Sequence, residues 1–177
     1  MGLSTSTAEY AFQLGANFVD YLITMQHNCV QQVNNGTFCR TEGFIDFIPR
    51  TDVFLAIDGF YNYNMTTNPM SSSAAARVYR IGSPSVILFG TGGSASTTFN
   101  PASGTIPLSA SGLLPAGSHY QLFYTSRISF LGGANVAATA NGQIHFRVTE
   151  VPEPVALVPL AFAALLLCRP RRARRCA

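Results

Sequence analysis

Apolar and polar residues alternate with a period of two along much of this chain. The clearest case is Gly142–Val151, where Ile144, Phe146 and Val148 fall on one face and Gln143, His145, Arg147 and Thr149 on the other. Successive side chains of a strand point to opposite sides, so this spacing marks a half-buried strand and is incompatible with a helix. Tyr120, Leu122 and Tyr124 repeat the pattern within His119–Ser126. In Gly43–Ile48, Ile45 and Phe47 oppose Phe44, Asp46 and Ile48. Further strand-like runs occupy 9–14, 18–25, 37–40, 52–63, 76–81, 85–89 and 105–109. Turn formers separate them: Asn34-Asn35-Gly36, Asp58-Gly59, Gly92-Gly93, Gly132-Gly133 and Asn141-Gly142. Each supplies residues that tolerate positive φ.

Many short strands joined by turns predict an all-β fold, an antiparallel β-sandwich of jelly-roll type. Segment 91–104, rich in Gly, Ser, Thr and Asn, reads as the most loop-like stretch. Phe18–Gln32 also fits a helix, because Phe18, Leu22, Met25 and Cys29 recur near a period of 3.6. Both readings stand at this point.

The last part of the chain has a different character. After Val151-Pro152-Glu153-Pro154 comes an apolar run of fourteen residues, Val155–Cys168. Arg169, Arg171, Arg172, Arg174 and Arg175 follow it. As a helix the run covers roughly 21 Å, short for a span of about 20 residues. The basic block changes that balance. Arginines snorkel and extend the effective span, and positive charge marks the cytoplasmic side. The expectation is a short transmembrane helix over 155–168, a cytoplasmic basic tail over 169–177, and a β-sandwich domain over 1–150 on the other side of the membrane.

This tail resembles a PEP-CTERM sorting signal. Proteins of that class are bacterial, exported, held transiently in the inner membrane and processed by an exosortase. The resemblance implies that residues 151–154, above all Pro152, Glu153 and Pro154, are read by the processing enzyme. Two prolines fix φ and remove two backbone donors, which keeps such a peptide extended. The resemblance also implies a surface or extracellular destination and an association with exopolysaccharide. Ser111–Tyr120, with Gly112, Leu113, Gly117 and Tyr120, is similar to a turn-into-strand phrase of β-sandwich domains that precede this tail. Export calls for a signal peptide, yet Met1–Asn17 contains neither Lys nor Arg and its apolar residues are scattered. The expectation is a start of translation further upstream.

The formal charge of +3 invites a nucleic-acid reading. Its distribution removes the invitation. Residues 1–150 hold six arginines against seven acids, a net of −1, and the excess lies in the tail. No basic stripe is left for a phosphate backbone. Of the four cysteines, Cys29 and Cys39 lie in the body and Cys168 and Cys176 in the tail. Outside the cytosol, Cys29 and Cys39 are natural disulfide partners.

Chemistry-bearing motifs are sparse. No Gly-x-Ser-x-Gly elbow accompanies His27, His119 and His145. Asp58, Asn62 and Asn64 carry oxygens but lack the spacing of a calcium loop and read as a polar turn after a strand. No metal or cofactor is expected. Tyr61 and Tyr63 beside Asn62 and Asn64 suggest rings that stack on sugars and amides that bind their hydroxyls. The sequence therefore favours a non-enzymatic surface or matrix protein, with a carbohydrate-binding module and a secreted hydrolase as alternatives.

Overall fold

A computed structural model describes residues 4–31, 38–66, 70–97, 102–132 and 136–152. They form nine strands: β1 (Thr5–Leu14), β2 (Phe18–Gln31), β3 (Phe38–Phe47), β4 (Val53–Met65), β5 (Met70–Arg80), β6 (Val86–Thr97), β7 (Ala102–Leu114), β8 (Tyr120–Phe130) and β9 (Val136–Glu150). Two antiparallel sheets result, one in the order β1-β2-β9-β4-β7 and one in the order β3-β8-β5-β6. The fold is an all-β sandwich. The residues from 153 onward, including Glu153, Pro154, the apolar run and the five tail arginines, lie outside the described residues.

The core is built by the period-two faces. Ile23 and Met25 of β2, Leu55 and Ile57 of β4, and Ile144 and Phe146 of β9 point inward from the larger sheet. Ala76 and Val78 of β5 and Leu122, Tyr124 and Ile128 of β8 meet them from the smaller one. Each large side chain taken fully out of water contributes about 1.5–3 kcal/mol. The inward sets read from 43–48, 119–126 and 142–151 point the expected way, Ile45, Phe47 and Val148 being half-buried.

The ambiguous segment 18–32 is a strand over its described part. Ile23, Met25, His27, Cys29 and Gln31 alternate inward along β2, whereas a helix would have put Phe18 and Leu22 on the face of Met25 and Cys29. Three expected turns are also strand interior. Asp58-Gly59 lies within β4, Gly92-Gly93 within β6 and Asn141-Gly142 within β9. The local turn signal loses to pairing. β9 is hydrogen-bonded to β2 on one side and β4 on the other along nearly its whole length. Glycine is needed at Gly59 for close approach: at φ +152°, an added Cβ would collide with the Gln143 carbonyl. The described parts of the loop-like segment 91–104 are extended too, 91–97 closing β6 and 102–104 opening β7.

The phrase around Gly117 forms a turn into a strand. β7 stops at Leu114, Gly117 takes φ +76° and β8 opens at Tyr120. The Tyr120 ring is buried, and its hydroxyl donates to the Pro115 carbonyl at 2.9 Å. The Gly117 N–H donates to the Pro49 carbonyl and the Ala116 N–H to Asp52 Oδ1, each at 2.9 Å. These bonds tie the β7–β8 turn to the β3–β4 link.

A disulfide joins Cys29 to Cys39, with Cα atoms 6.1 Å apart. It links the end of β2 to the start of β3 and so staples one sheet to the other.

Candidate functional site

Strand register, rather than any contiguous motif, assembles the most chemically dense region. On the outer face of the five-stranded sheet, Asp20 of β2 lies opposite Arg147 of β9. One row along, Leu22, His145 and Asp58 line up across β2, β9 and β4. The next row holds Thr24, Gln143 and Phe60, and the one after it Gln26, Asn141 and Asn62.

Arg147 grips Asp20 with both arms of its fork, Nε to Oδ1 at 2.8 Å and Nη2 to Oδ2 at 2.7 Å. This is the strong bidentate geometry. The guanidinium holds the Asp20 carboxyl below the usual carboxylate range, and Asp20 in turn raises Arg147. Arg147 also covers the Phe18 ring at 5.4 Å. His145 sits between two carboxylates, Nδ1 at 3.2 Å from Asp58 Oδ2 and Nε2 at 3.4 Å from Asp20 Oδ1. Asn62 donates to Asn141 Oδ1 at 3.2 Å and accepts from Thr105 Oγ1 at 2.7 Å. A groove of about 610 Å³ runs over this face, lined among others by Gln13, Leu22, Asp58, Phe60, Gln143 and His145. Fixed carboxylates, amides and an imidazole around a ring suit hydrogen bonding to a polyhydroxylated ligand.

The expected sugar-stacking set does not hold together. Tyr61 is fully buried and its ring packs edge-on against His27 at 6.1 Å. Tyr63 is half-buried against the core. Asn62 and Asn64 alternate to the outer face, so the tyrosines and the asparagines of this run lie on opposite sides of β4. The Asp58–Asn64 segment is strand and not a polar turn.

Burial pushes the Tyr61 phenol up to about 12, partly offset by nearby Ser72. Among the described residues neither hydroxyl reaches a partner with hydrogen-bond geometry.

The three histidines have separate fates. His27 is buried, with Nδ1 2.6 Å from Ser6 Oγ and Nε2 2.7 Å from Ser126 Oγ. The Ser126 contact is buried while Ser6 lies on the exposed β1, and among the described residues no carboxylate is bonded to the imidazole. His119 lies on the surface 3.5 Å from Asp46. His145, on the polar face of β9, bridges Asp20 and Asp58. Among the described residues no serine hydroxyl is bonded to it. Sequence reasoning placed His145 and Arg147 on one polar face but could not find Asp20 and Asp58, which arrive from 125 and 87 residues away by register alone. Of the expected processing residues, Val151 and Pro152 are exposed just past β9.

No family model matches the chain, and no curated protein does. Similar solved structures include "Structure of infectious bursal disease virus Gx strain" (14% identity, 85% of this chain and 48% of that one, TM-score 0.32). "Crystal structure of infectious bursal disease virus VP2 subviral particle" is similar at 13% identity over 93% and 48%, with a TM-score of 0.27. "CBM4 structure and function" is similar at 14% identity over 81% and 78%, with a TM-score of 0.23. The chain spans about half the length of the viral chains it matches.

Proposed function

We propose that this chain is an exported, non-enzymatic bacterial surface or matrix protein whose tail is a PEP-CTERM-type sorting signal. The sandwich is of jelly-roll type. Supporting that is the order β2-β9-β4-β7 against β3-β8-β5-β6, two four-stranded sets between which the chain repeatedly crosses, with β1 added at an edge. The observation that carries the export reading is the buried inter-sheet disulfide, a device of oxidising compartments. The tail, with its apolar run and basic end, supplies a single transmembrane helix and the route: inner membrane first, processing by an exosortase at residues 151–154, then surface or medium.

The test is intact mass by cell fraction after expression in the native host. A species ending near Pro152–Pro154 in the envelope or medium is expected. A full-length species in the cytosol, still carrying Arg169–Arg175 and reduced at Cys29 and Cys39, would overturn the reading.

A carbohydrate-binding role is the second reading, and the outer-face groove favours it. The contacts would come from Phe60, Asp58, Gln143, His145 and Asn62, with exopolysaccharide as the ligand. Affinity electrophoresis in the host's own polysaccharide tests it. Retardation of the protein that disappears in Phe60→Ala with Asp58→Ala supports the groove; no retardation, or retardation unchanged in that variant, removes it.

A further inference from the structure

The end of the sandwich at which β9 runs out carries an exposed apolar rim, and we propose that this rim rests on the surface of the bilayer that holds the tail. The inference rests on the membrane reading of Val155–Cys168 and adds which part of the body meets lipid.

Chain geometry restricts the choice. Pro152 is the last described residue, three Cα steps before Val155. At ~3.3 Å per extended residue the two lie within roughly 10 Å. With 155–168 in hydrocarbon, the nearest parts of the body are the end of β9 and the links packed around it. The Glu150 N–H donates to the Asn17 carbonyl in the β1–β2 link, and the Val151 N–H to the Asp52 carbonyl in the β3–β4 link. The β7–β8 turn is tied to the same corner through Asp52 and Pro49.

This end presents a row of large apolar side chains beside charged links, in which Asp52 and Glu150 are exposed as well. Pairing aligns Phe18, Thr149, Phe54 and Leu113 in one row across β2, β9, β4 and β7. Phe54 is 44% and Leu113 56% exposed, and Leu14 and Ile48 at the ends of β1 and β3 reach 69% and 61%. Between the sheets a cavity of about 290 Å³ has Phe18, Tyr21, Phe47, Val53 and Val148 among its walls. Arg50, exposed in the same β3–β4 link, suits headgroup phosphates. A scattered exposed Leu needs no explanation, but large side chains gathered at one end mark an interaction surface. Lipid is the occupant because the tail delivers this end to the interface, where half-exposed Phe and Leu partition favourably.

The experiment reconstitutes the full-length chain into phosphatidylethanolamine–phosphatidylglycerol liposomes doped with a lipid carrying a diazirine high in its acyl chain. Flotation reads membrane attachment, and mapping of lipid adducts on peptides reads docking. The expected result is flotation, with adducts on the peptides of Leu14, Ile48, Phe54 and Leu113 several-fold above those of Phe38, Phe44 and Leu131. Phe54→Ser with Leu113→Ser should lower the rim adducts several-fold and keep both flotation and the Cys29–Cys39 disulfide. Flotation with adducts on 155–168 but none on the rim overturns the docking and leaves the membrane reading in place. No flotation overturns both. A diazirine amino acid installed at position 113 that joins the rim to protein and not to lipid overturns it in favour of a folded-back tail or a second copy.

Discussion

Lowering the pH should destabilise this sandwich through a single buried imidazole. His27 points into the core from β2 and is 3% exposed. Ser6 and Ser126 satisfy both ring nitrogens of the neutral form. Protonation would place a cation among Met25, Tyr61 and hydroxyl groups, and burial lowers the His27 pKa from 6.5 to about 4. The unfolded chain therefore binds this proton more readily than the folded one. A depressed pKa contributes stability that is complete above the unfolded value and is lost as pH falls towards the folded value. The window runs from about pH 6.5 down to about pH 4. At 1.36 kcal/mol per unit the whole window is worth about 3.4 kcal/mol at most, and the step from pH 7 to pH 4.5 roughly 2.5 kcal/mol. A domain of this size has only about 5–15 kcal/mol to lose. Asp20 acts elsewhere on the scale. Its carboxyl sits below 3.8, so its contribution is lost only as pH falls beneath that value. Deuterium exchange at the imidazole C2 position, read by mass spectrometry on the His27 peptide, reports the pKa in the full-length protein. Urea unfolding at pH 7 and 4.5 reports the stability. His27→Gln, which keeps a donor and an acceptor, should flatten this part of the profile. A folded-state pKa near 6.5, or equal stability at the two pH values, would show that the neutral imidazole does not hold this stability.

Other perturbations act on separate parts of the fold. Reducing Cys29–Cys39 should cost about 2–3 kcal/mol from the loop entropy of the unfolded chain, read as a lower urea midpoint with dithiothreitol. Gly59→Ala should destabilise by about 1–3 kcal/mol or more, because a side chain there meets the Gln143 carbonyl at a φ that L residues avoid; a thermal shift no larger than that of Gly117→Ala would count against the close approach. Tyr61→Ala should cost about 3–5 kcal/mol as a core truncation, while Asn64→Ala on the opposite face of β4 stays within about 0.5 kcal/mol. Equal losses in the two unfolding curves would contradict the assigned faces.

The inward residues of β8 and β9 were legible because alternation is a property of consecutive residues and needs no partner. Cys29–Cys39 was legible from the division of cysteines between body and tail. The Tyr61–Asn64 cluster misled because adjacency in sequence is separation in a strand: neighbouring residues leave on opposite faces, and the rings went to the core. Asp58-Gly59 and Asn141-Gly142 misled for a different reason. Their turn propensity is local and worth little, whereas a strand paired on both sides keeps its hydrogen bonds only by staying extended.

Composition and alternation along the chain carry the all-β class, the period-two faces that became the core, the disulfide pair and a tail of different chemistry. The tertiary structure alone decided which strands became neighbours. That choice brought Asp20, Asp58, His145 and Arg147 into one cluster, and Leu14, Phe54 and Leu113 to the end from which the tail leaves. The physical reason is that a strand advertises its buried face in its own composition, while its register depends on hydrogen bonds and packing with residues more than a hundred positions away.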